Sequence, residues 1–216
     1  MTSFDERARD WDSEEHIATA TAVAKAIRSA IPLTPTTRAL EIGAGTGLLG
    51  LALVDDLGEL VLSDPSAGMR AVAAEKVQHR GLANVRVADL DLLGDPMPAQ
   101  RGFDLVISQL MLHHVEDTAA LLRATNAALV PGGRVAMADL DAEDGTFHDP
   151  AAEGIHHHGF PRETLRQLAA DAGFEDIRLG DATAIPRNGR TYSLFLLTAR
   201  KPASAGRLDE AVQPGL

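Results

Sequence analysis

Three glycines at alternate positions, Gly43, Gly45 and Gly47, follow a short apolar run that carries one acid, Glu41 (LEIGAGTGLLG, residues 40–50). Such a turn lets backbone N–H groups approach a ligand closely, because no Cβ stands in the way. Two further acids, Asp64 and Asp89, close later apolar runs, ELVLSD and NVRVAD. Histidines gather in two places: His113-His114 in LMLHHVED, and His156-His157-His158 just before Gly159-Phe160-Pro161. Imidazole is the side chain that exchanges a proton near neutral pH. The only tryptophan, Trp11, stands with Phe4 in the N-terminal stretch FDERARDWD. These residue types suit a bound ligand held by backbone and carboxylates, with proton exchange at histidine.

Alternating strands and helices would position these groups. Apolar runs at 38–43, 59–64, 84–89, 103–108 and 134–140 read as strands, separated by helices at 46–56, 66–79 and 117–130. Asp117 caps the third of these helices, and Pro131-Gly132-Gly133 stops it and feeds the next strand. An earlier helix over 13–31 starts at Ser13 and places Ile17, Ala20, Ala24, Ile27 and Ile31 on one face. A last helix, from about Pro161 to Ala172, precedes strands near 175–183 and 191–200. The short turn-like link 184–189 forces that final pair to be antiparallel, since a parallel crossover needs a dozen or more residues. The expected fold is α/β: a three-layer, Rossmann-like, seven-stranded and mostly parallel sheet with one antiparallel strand near its edge and helices on both faces. Residues 1–200 form one unit, with 1–31 as an N-terminal cap, and 201–216 trail as a mobile tail.

Composition narrows the functions. The 216 residues carry a net charge of −11, with 45% hydrophobic and 24% charged residues and no cysteine. Disulfides, thiolate metal sites and a cysteine nucleophile are excluded. An acidic chain with no Lys/Arg cluster argues against nucleic acid, whose binding rests on phosphate neutralisation. No stretch reaches the roughly 20 apolar residues of a membrane span, and the acidic start is not expected to act as a signal peptide. A cytoplasmic location is expected.

The glycine turn discriminates among cofactors. A dinucleotide fingerprint, G-x-G-x-x-G, needs glycine where this chain has Leu48. A carboxylate at Glu41 would repel a pyrophosphate and attract a cationic head. S-adenosyl-L-methionine, with its ammonium and sulfonium charges and no phosphate, fits. Asp64, 21 residues beyond Gly43, stands at a strand end where an acid receives ribose hydroxyls. Asp89, at the next strand end, can accept from an adenine amino group, although Asp91 is close enough to take that part. Asp64 could also merely cap the helix after it.

Taken together, LEIGAGTG, VLSDPSAGM, VRVADLDL, FDLVISQLMLHHVED and LVPGGRVAMADL resemble the class I S-adenosylmethionine-dependent methyltransferases, over about residues 38–200. The N-terminal FDERARDWD is similar to the same segment of the quinone-biosynthesis members. The resemblance implies that Glu41 and the turn Gly43, Ala44, Gly45 and Gly47 face the methionine part of the cofactor. Asp64 would bind the ribose, Pro65 and Met69 would lie beside the adenosine, and Asp89 and Leu90 would hold the adenine. Ser108 and Gln109 would lie beside the methionine part and the reactive methyl, and the product would be S-adenosyl-L-homocysteine.

For the histidines, His113 would shape the pocket or take a proton, against a plain packing role for the pair 113–114. His157 and His158 are candidates for the substrate pocket, against a solvated loop. A metal site in the triple histidine, with His148 and Asp149 nearby, is disfavoured because adjacent residues of an extended chain point opposite ways. Trp11 would close over the cofactor or pack on the sheet.

Members of this superfamily that methylate amino groups of nucleic-acid bases or glutamine carry Asn/Asp-Pro-Pro-Tyr/Phe after the fourth strand, where this chain has Ser108-Gln109-Leu110-Met111. The expected acceptor is therefore a small molecule with an oxygen or carbon nucleophile. A non-methylating S-adenosylmethionine-binding protein of this fold and an NAD-dependent oxidoreductase are the alternatives. The acceptor's identity and the oligomeric state stay open.

Overall fold

The computed structural model describes residues 4–94, 102–150, 152–187 and 189–203. Seven strands form one sheet: β1 (Arg38–Ile42), β2 (Glu59–Ser63), β3 (Val85–Ala88), β4 (Phe103–Gln109), β5 (Leu129–Leu140), β6 (Glu175–Arg187) and β7 (Arg190–Arg200). Their spatial order is β3-β2-β1-β4-β5-β7-β6, and only β7 runs antiparallel to its neighbours. The helices are α1 (Phe4–Arg7), α2 (Glu14–Ala30), α3 (Leu48–Leu53), α4 (Ala67–His79), α5 (Thr118–Ala128) and α6 (Arg162–Asp171). The expected strands and longer helices are present, with ends displaced by a few residues.

The inner parallel strands β1, β2, β4 and β5 are buried on both faces, which explains their apolar runs, while β3 at the edge is part-exposed. One core layer joins Leu40, Val61, Val106, Val135 and Leu197 to α5 and α6. The other joins Ala39, Leu60, Leu105, Ala136 and Leu196 to α2 and α3. Side-chain caps start the helices: Ser13 and Asp117, as the sequence suggests, and Ser66 rather than Asp64 each accept a backbone N–H from the first turn.

Four features depart from expectation. Ile17 is 46% exposed, because the first turn of α2, residues 14–18, lies outside the tightly packed face at Ala20, Val23, Ala24 and Ile27. The final hairpin is longer than expected, with β6 continuing through Pro186 to Arg187. The N-terminal stretch, which carries no apolar period, forms α1 and a 3₁₀ turn at Ala8–Asp10. Lys201 is anchored rather than trailing: its backbone pairs with Gly133, and Nζ donates to the Asn126 and Leu129 carbonyls. The rest of the expected tail, 204–216, lies outside the described residues.

Candidate active site

Strand order reverses between β1 and β4, and in open α/β sheets ligands bind at the carboxyl ends beside such a switch point. The glycine turn leaves β1 there. Gly43, Gly45 and Gly47 all have left-handed φ, of 61°, 54° and 82°. A Cβ on Gly43 would overlap the Met111 side chain, and one on Gly45 would lie 3.8 Å from Trp11 Nε1 and 4.0 Å from Met69 Sδ. The turn therefore needs glycine on two grounds, backbone conformation and close approach.

Glu41 is not an exposed charge at the cleft mouth, contrary to the repulsion argument above. It is 2% exposed, its Oε2 accepts from Gly50 N at 2.9 Å under α3, and burial pushes its pKa up to about 8. Near neutral pH it is mostly the uncharged acid, so it braces the turn more than it attracts a cation. Asp64 also braces the turn: Oδ2 accepts from Gly45 N at 2.7 Å and Oδ1 from Ser66 N at 2.9 Å. Burial raises its pKa against those hydrogen bonds. Pro65 is exposed and Met69 buried. At the end of β3, Leu90 exchanges hydrogen bonds with the Ser63 hydroxyl. Asp89 is 66% exposed and ion-paired at 3.0 Å with Arg70, which also donates to the carbonyls of Asp64 and Pro65. Asp91 caps its own turn at Leu93 N. At the end of β4, Ser108 Oγ and Gln109 Oε1 are buried without a hydrogen-bond partner among the described residues. Buried acceptors left unpaired are costly and suit a site completed by a donor.

The N-terminal segment closes over this cleft. Asp12 accepts from the Thr46 hydroxyl and pairs with Lys76, whose Nζ also donates to the Thr46 carbonyl. Asp5 caps α4 through Ser66 Oγ and Gly68 N. Trp11 stacks on His16, and Phe4 bridges Trp11 and His114 at ring distances of 5.7 and 5.6 Å.

Beyond β4 the chain turns at Leu110, φ 50°, into a 3₁₀ turn that carries His113 and His114. His113 is fully buried. Its Nδ1 donates to Asp139 Oδ1 at 2.7 Å, and Asp139 also accepts from the backbone N–H groups of His113 and Leu140. On the other side, His113 Nε2 meets His148 Nε2 at 3.1 Å. His148 rides on a loop pinned by Glu143, whose Oε2 accepts from Thr146 and Phe147 N, and by Arg162, which binds Asp141 through two hydrogen bonds. The backbone of His156 and His157 donates to the His113 carbonyl, so the 141–160 loop hangs on the same turn.

The other two histidines do not join the cluster. His157 Nε2 donates to the Val115 carbonyl at 3.0 Å and lies 3.3 Å from Thr118 Oγ1, which makes it a loop anchor. His158 is 62% exposed, 3.6 Å from Glu143. Among the described residues no group of three or more metal-ligating side chains is placed to hold an ion. Asp139 escaped notice in the sequence, although an acid inside the apolar run RVAMADL signals a buried charge that needs partners. The sequence marks His148 only as a possible metal neighbour of the triple histidine, and Arg70 and the Asp12–Thr46–Lys76 clasp carry no linear signal.

A mostly parallel sheet with a glycine turn at its switch point defines a Rossmann-like ligand-binding fold. Residues 40–135 match a family described as a methyltransferase domain. The chain is 30% identical, over 173 residues, to the ubiquinone/menaquinone biosynthesis C-methyltransferase UbiE of Shewanella oneidensis, covering 66% of this chain and 68% of that protein. The chain belongs to the class I S-adenosylmethionine-dependent methyltransferases, and S-adenosylmethionine is its cofactor.

The fold is shared more widely. The Haemonchus contortus phosphoethanolamine N-methyltransferase 2 in complex with S-adenosyl-L-methionine superposes with a TM-score of 0.70 at 21% identity, covering 94% of this chain and 60% of that one. The [4+2]-cyclase SpnF gives 0.69 at 20% identity, covering 85% and 81%. One fold thus serves both methyl transfer and cyclisation, and chemistry has to be argued from the site. The site fits the cofactor: three glycines leave room at the turn beyond β1, and two buried side-chain oxygens at the end of β4, Ser108 Oγ and Gln109 Oε1, are unpaired among the described residues and could accept from an ammonium group. No helix among the described residues is long and apolar enough to cross a membrane.

Proposed function

We propose that the protein methylates a small molecule at an oxygen or carbon that gives up a proton in the reaction. The observation that carries this reading is the buried Asp139–His113 pair, 2.7 Å apart, directly beyond the strand end that meets the glycine turn. When bound, the cofactor supplies a methyl group activated by its sulfonium. Gly43, Ala44, Gly45 and Gly47, with Glu41 behind them, would hold its methionine part from one side, and Ser108 and Gln109 from the other. Asp64 would receive the ribose, Met69 and Pro65 would flank the adenosine, and Asp89 and Leu90 would meet the adenine. The chain's remaining work is to align the acceptor, exclude water and remove a proton. Phe4 and Trp11 cover the cleft, and the 141–160 loop closes the acceptor side.

The relative's name describes carbon methylation in quinone biosynthesis. A hydroxylated aromatic ring becomes nucleophilic at oxygen and at ring carbon once its hydroxyl proton leaves, so we extend that acceptor class to this chain. Calorimetric titration with S-adenosylmethionine, S-adenosylhomocysteine and NADH, followed by product assays on a panel of phenols and quinols such as menadiol, tests the reading. Tight binding of the first two ligands, weakened on the order of 100-fold by Asp64→Ala, is expected. Failure to bind either adenosyl ligand, with Asp64→Ala behaving like the parent, would end it.

A further inference from the structure

His113 cannot itself meet an acceptor. It is 1% exposed, and both ring nitrogens are taken, Nδ1 by Asp139 and Nε2 by His148. Asp139 is surrounded by donors: the His113 ring N–H and the backbone N–H groups of His113 and Leu140. It therefore sits as an acceptor, which fixes the His113 proton on Nδ1 and leaves a lone pair on Nε2. The 3.1 Å contact between the two Nε2 atoms then needs a proton from His148. That places the His148 lone pair on Nδ1, which has no partner among the described residues. His148 is only half-buried, and its ring touches His114, which touches Phe4, the residue covering the cleft.

We propose that His148 takes the acceptor's proton and that the His113–Asp139 pair receives the charge through it, a deduction resting on the proton-losing acceptor proposed above. The acceptor's O–H bond breaks as a bond forms to His148 Nδ1. The His148 Nε2–H bond breaks as one forms to His113 Nε2. His148 ends neutral in its other tautomer, His113 becomes an imidazolium beside the Asp139 carboxylate, and the acceptor is left as the anion. The Asp139 carboxylate stabilises that cation, as in other carboxylate–histidine pairs.

The surroundings of His148 explain why the charge moves inward. Desolvation, then the positive or protonatable neighbours His113 and His114 from the β4 exit and Arg187 from β6, push its pKa down to about 4, and Asp139 from β5 only partly opposes them. Alone it would be a poor base at neutral pH. Handing a proton to a site with a carboxylate behind it removes that handicap. His148 is the catalytic residue in this scheme, and His113 and Asp139 act through it.

Long-range ¹H–¹⁵N spectra of the ring nitrogens, recorded on the intact protein with S-adenosylhomocysteine, test the arrangement without turnover. Expected are His113 protonated on Nδ1, His148 protonated on Nε2, and a neutral His148 at pH 5.5. A His148 proton on Nδ1, or one-to-one zinc uptake that erases the Nε2–H signal, would overturn it. With menadiol as acceptor, His148→Gln should lower kcat about 100-fold or more and abolish the acidic limb of the pH profile, with S-adenosylhomocysteine affinity changed less than twofold. Unchanged kcat would refute the role. If His148→Gln fails to fold, the spectra of the parent protein decide alone. Loss of S-adenosylhomocysteine binding would instead count against the methyl-transfer reading, so the two failures are distinguishable.

Discussion

Replacing Glu41 by glutamine should stabilise the protein at neutral and alkaline pH. The carboxyl is almost wholly buried, and its pKa is raised from 4.5 to about 8, first by burial and then by the nearby Asp64 charge, against the Gly50 hydrogen bond. The native state therefore keeps a proton that the unfolded chain loses once pH exceeds about 4.5, so stability falls as pH rises from there towards 8. At about 1.4 kcal/mol per pKa unit, the full penalty above pH 8 is about 5 kcal/mol, and at pH 7 about 3 kcal/mol. Glutamine never ionises, and its amide oxygen can still accept from Gly50 N. Its NH₂ needs a partner of its own, which makes these values upper limits. Urea unfolding without added ligand, followed by circular dichroism at pH 4.5, 6, 7 and 8.5, is the assay. Near-equal stabilities at pH 4.5 are expected, with a gap in favour of Glu41→Gln that widens with pH. A pH-independent gap, or a less stable variant at pH 8.5, would refute the burial argument.

Gly43→Ala should lose cofactor binding in calorimetry and cost about 2 kcal/mol or more in unfolding, because φ is positive and the new Cβ overlaps Met111. Unaltered affinity would show that the turn does not need its glycine. Asp5→Ala removes the acceptor that Ser66 Oγ and Gly68 N share at the start of α4 and should lower the thermal midpoint slightly, read by circular dichroism. Asp12→Ala should release the segment from Thr46 and Lys76, read as a red shift of the single tryptophan's emission. His157→Ala should lower thermal stability by unpinning the Val115 carbonyl, yet leave the pH dependence of methyl transfer in place. A shifted profile would return His157 to the acceptor site.

The fold was legible because each local signal agreed with the others. Apolar runs buried on both faces fell between capped helices, and the short link before Arg190 could only close a hairpin. The candidate cofactor residues were legible as one group for a related reason: a turn and two strand ends are local features that any parallel sheet brings to one side. The burial of Glu41 is not legible in the sequence, since a position on a strand says nothing about how far its carboxyl is removed from water. The N-terminal segment was hard to read as structure because a single helical turn has no period; its organisation comes from tertiary hydrogen bonds at Asp5 and Asp12.

The acceptor side lay beyond linear reading because it is assembled by register. Ser108 pairs with Met137 and Gln109 with Ala138 across the β4–β5 ladder, and Leu110 N donates to the Ala138 carbonyl. That register sets Asp139 beside the exit of β4, one step past the last paired residue, where the turn brings His113 back over it. A slip of one residue would send Asp139 to the opposite face of the sheet, where Ala138 and Leu140 pack, and bury a carboxylate among apolar side chains. Its partnership with His113 is therefore a fact about strand pairing, and the arrival of His148 is one about the loop that Glu143 and Arg162 hold down. The triple histidine, conspicuous in the sequence, contributes mainly backbone N–H groups to the His113 carbonyl. Its visible chemistry is scaffolding, and the single acid hidden in RVAMADL is what prepares a histidine to accept charge.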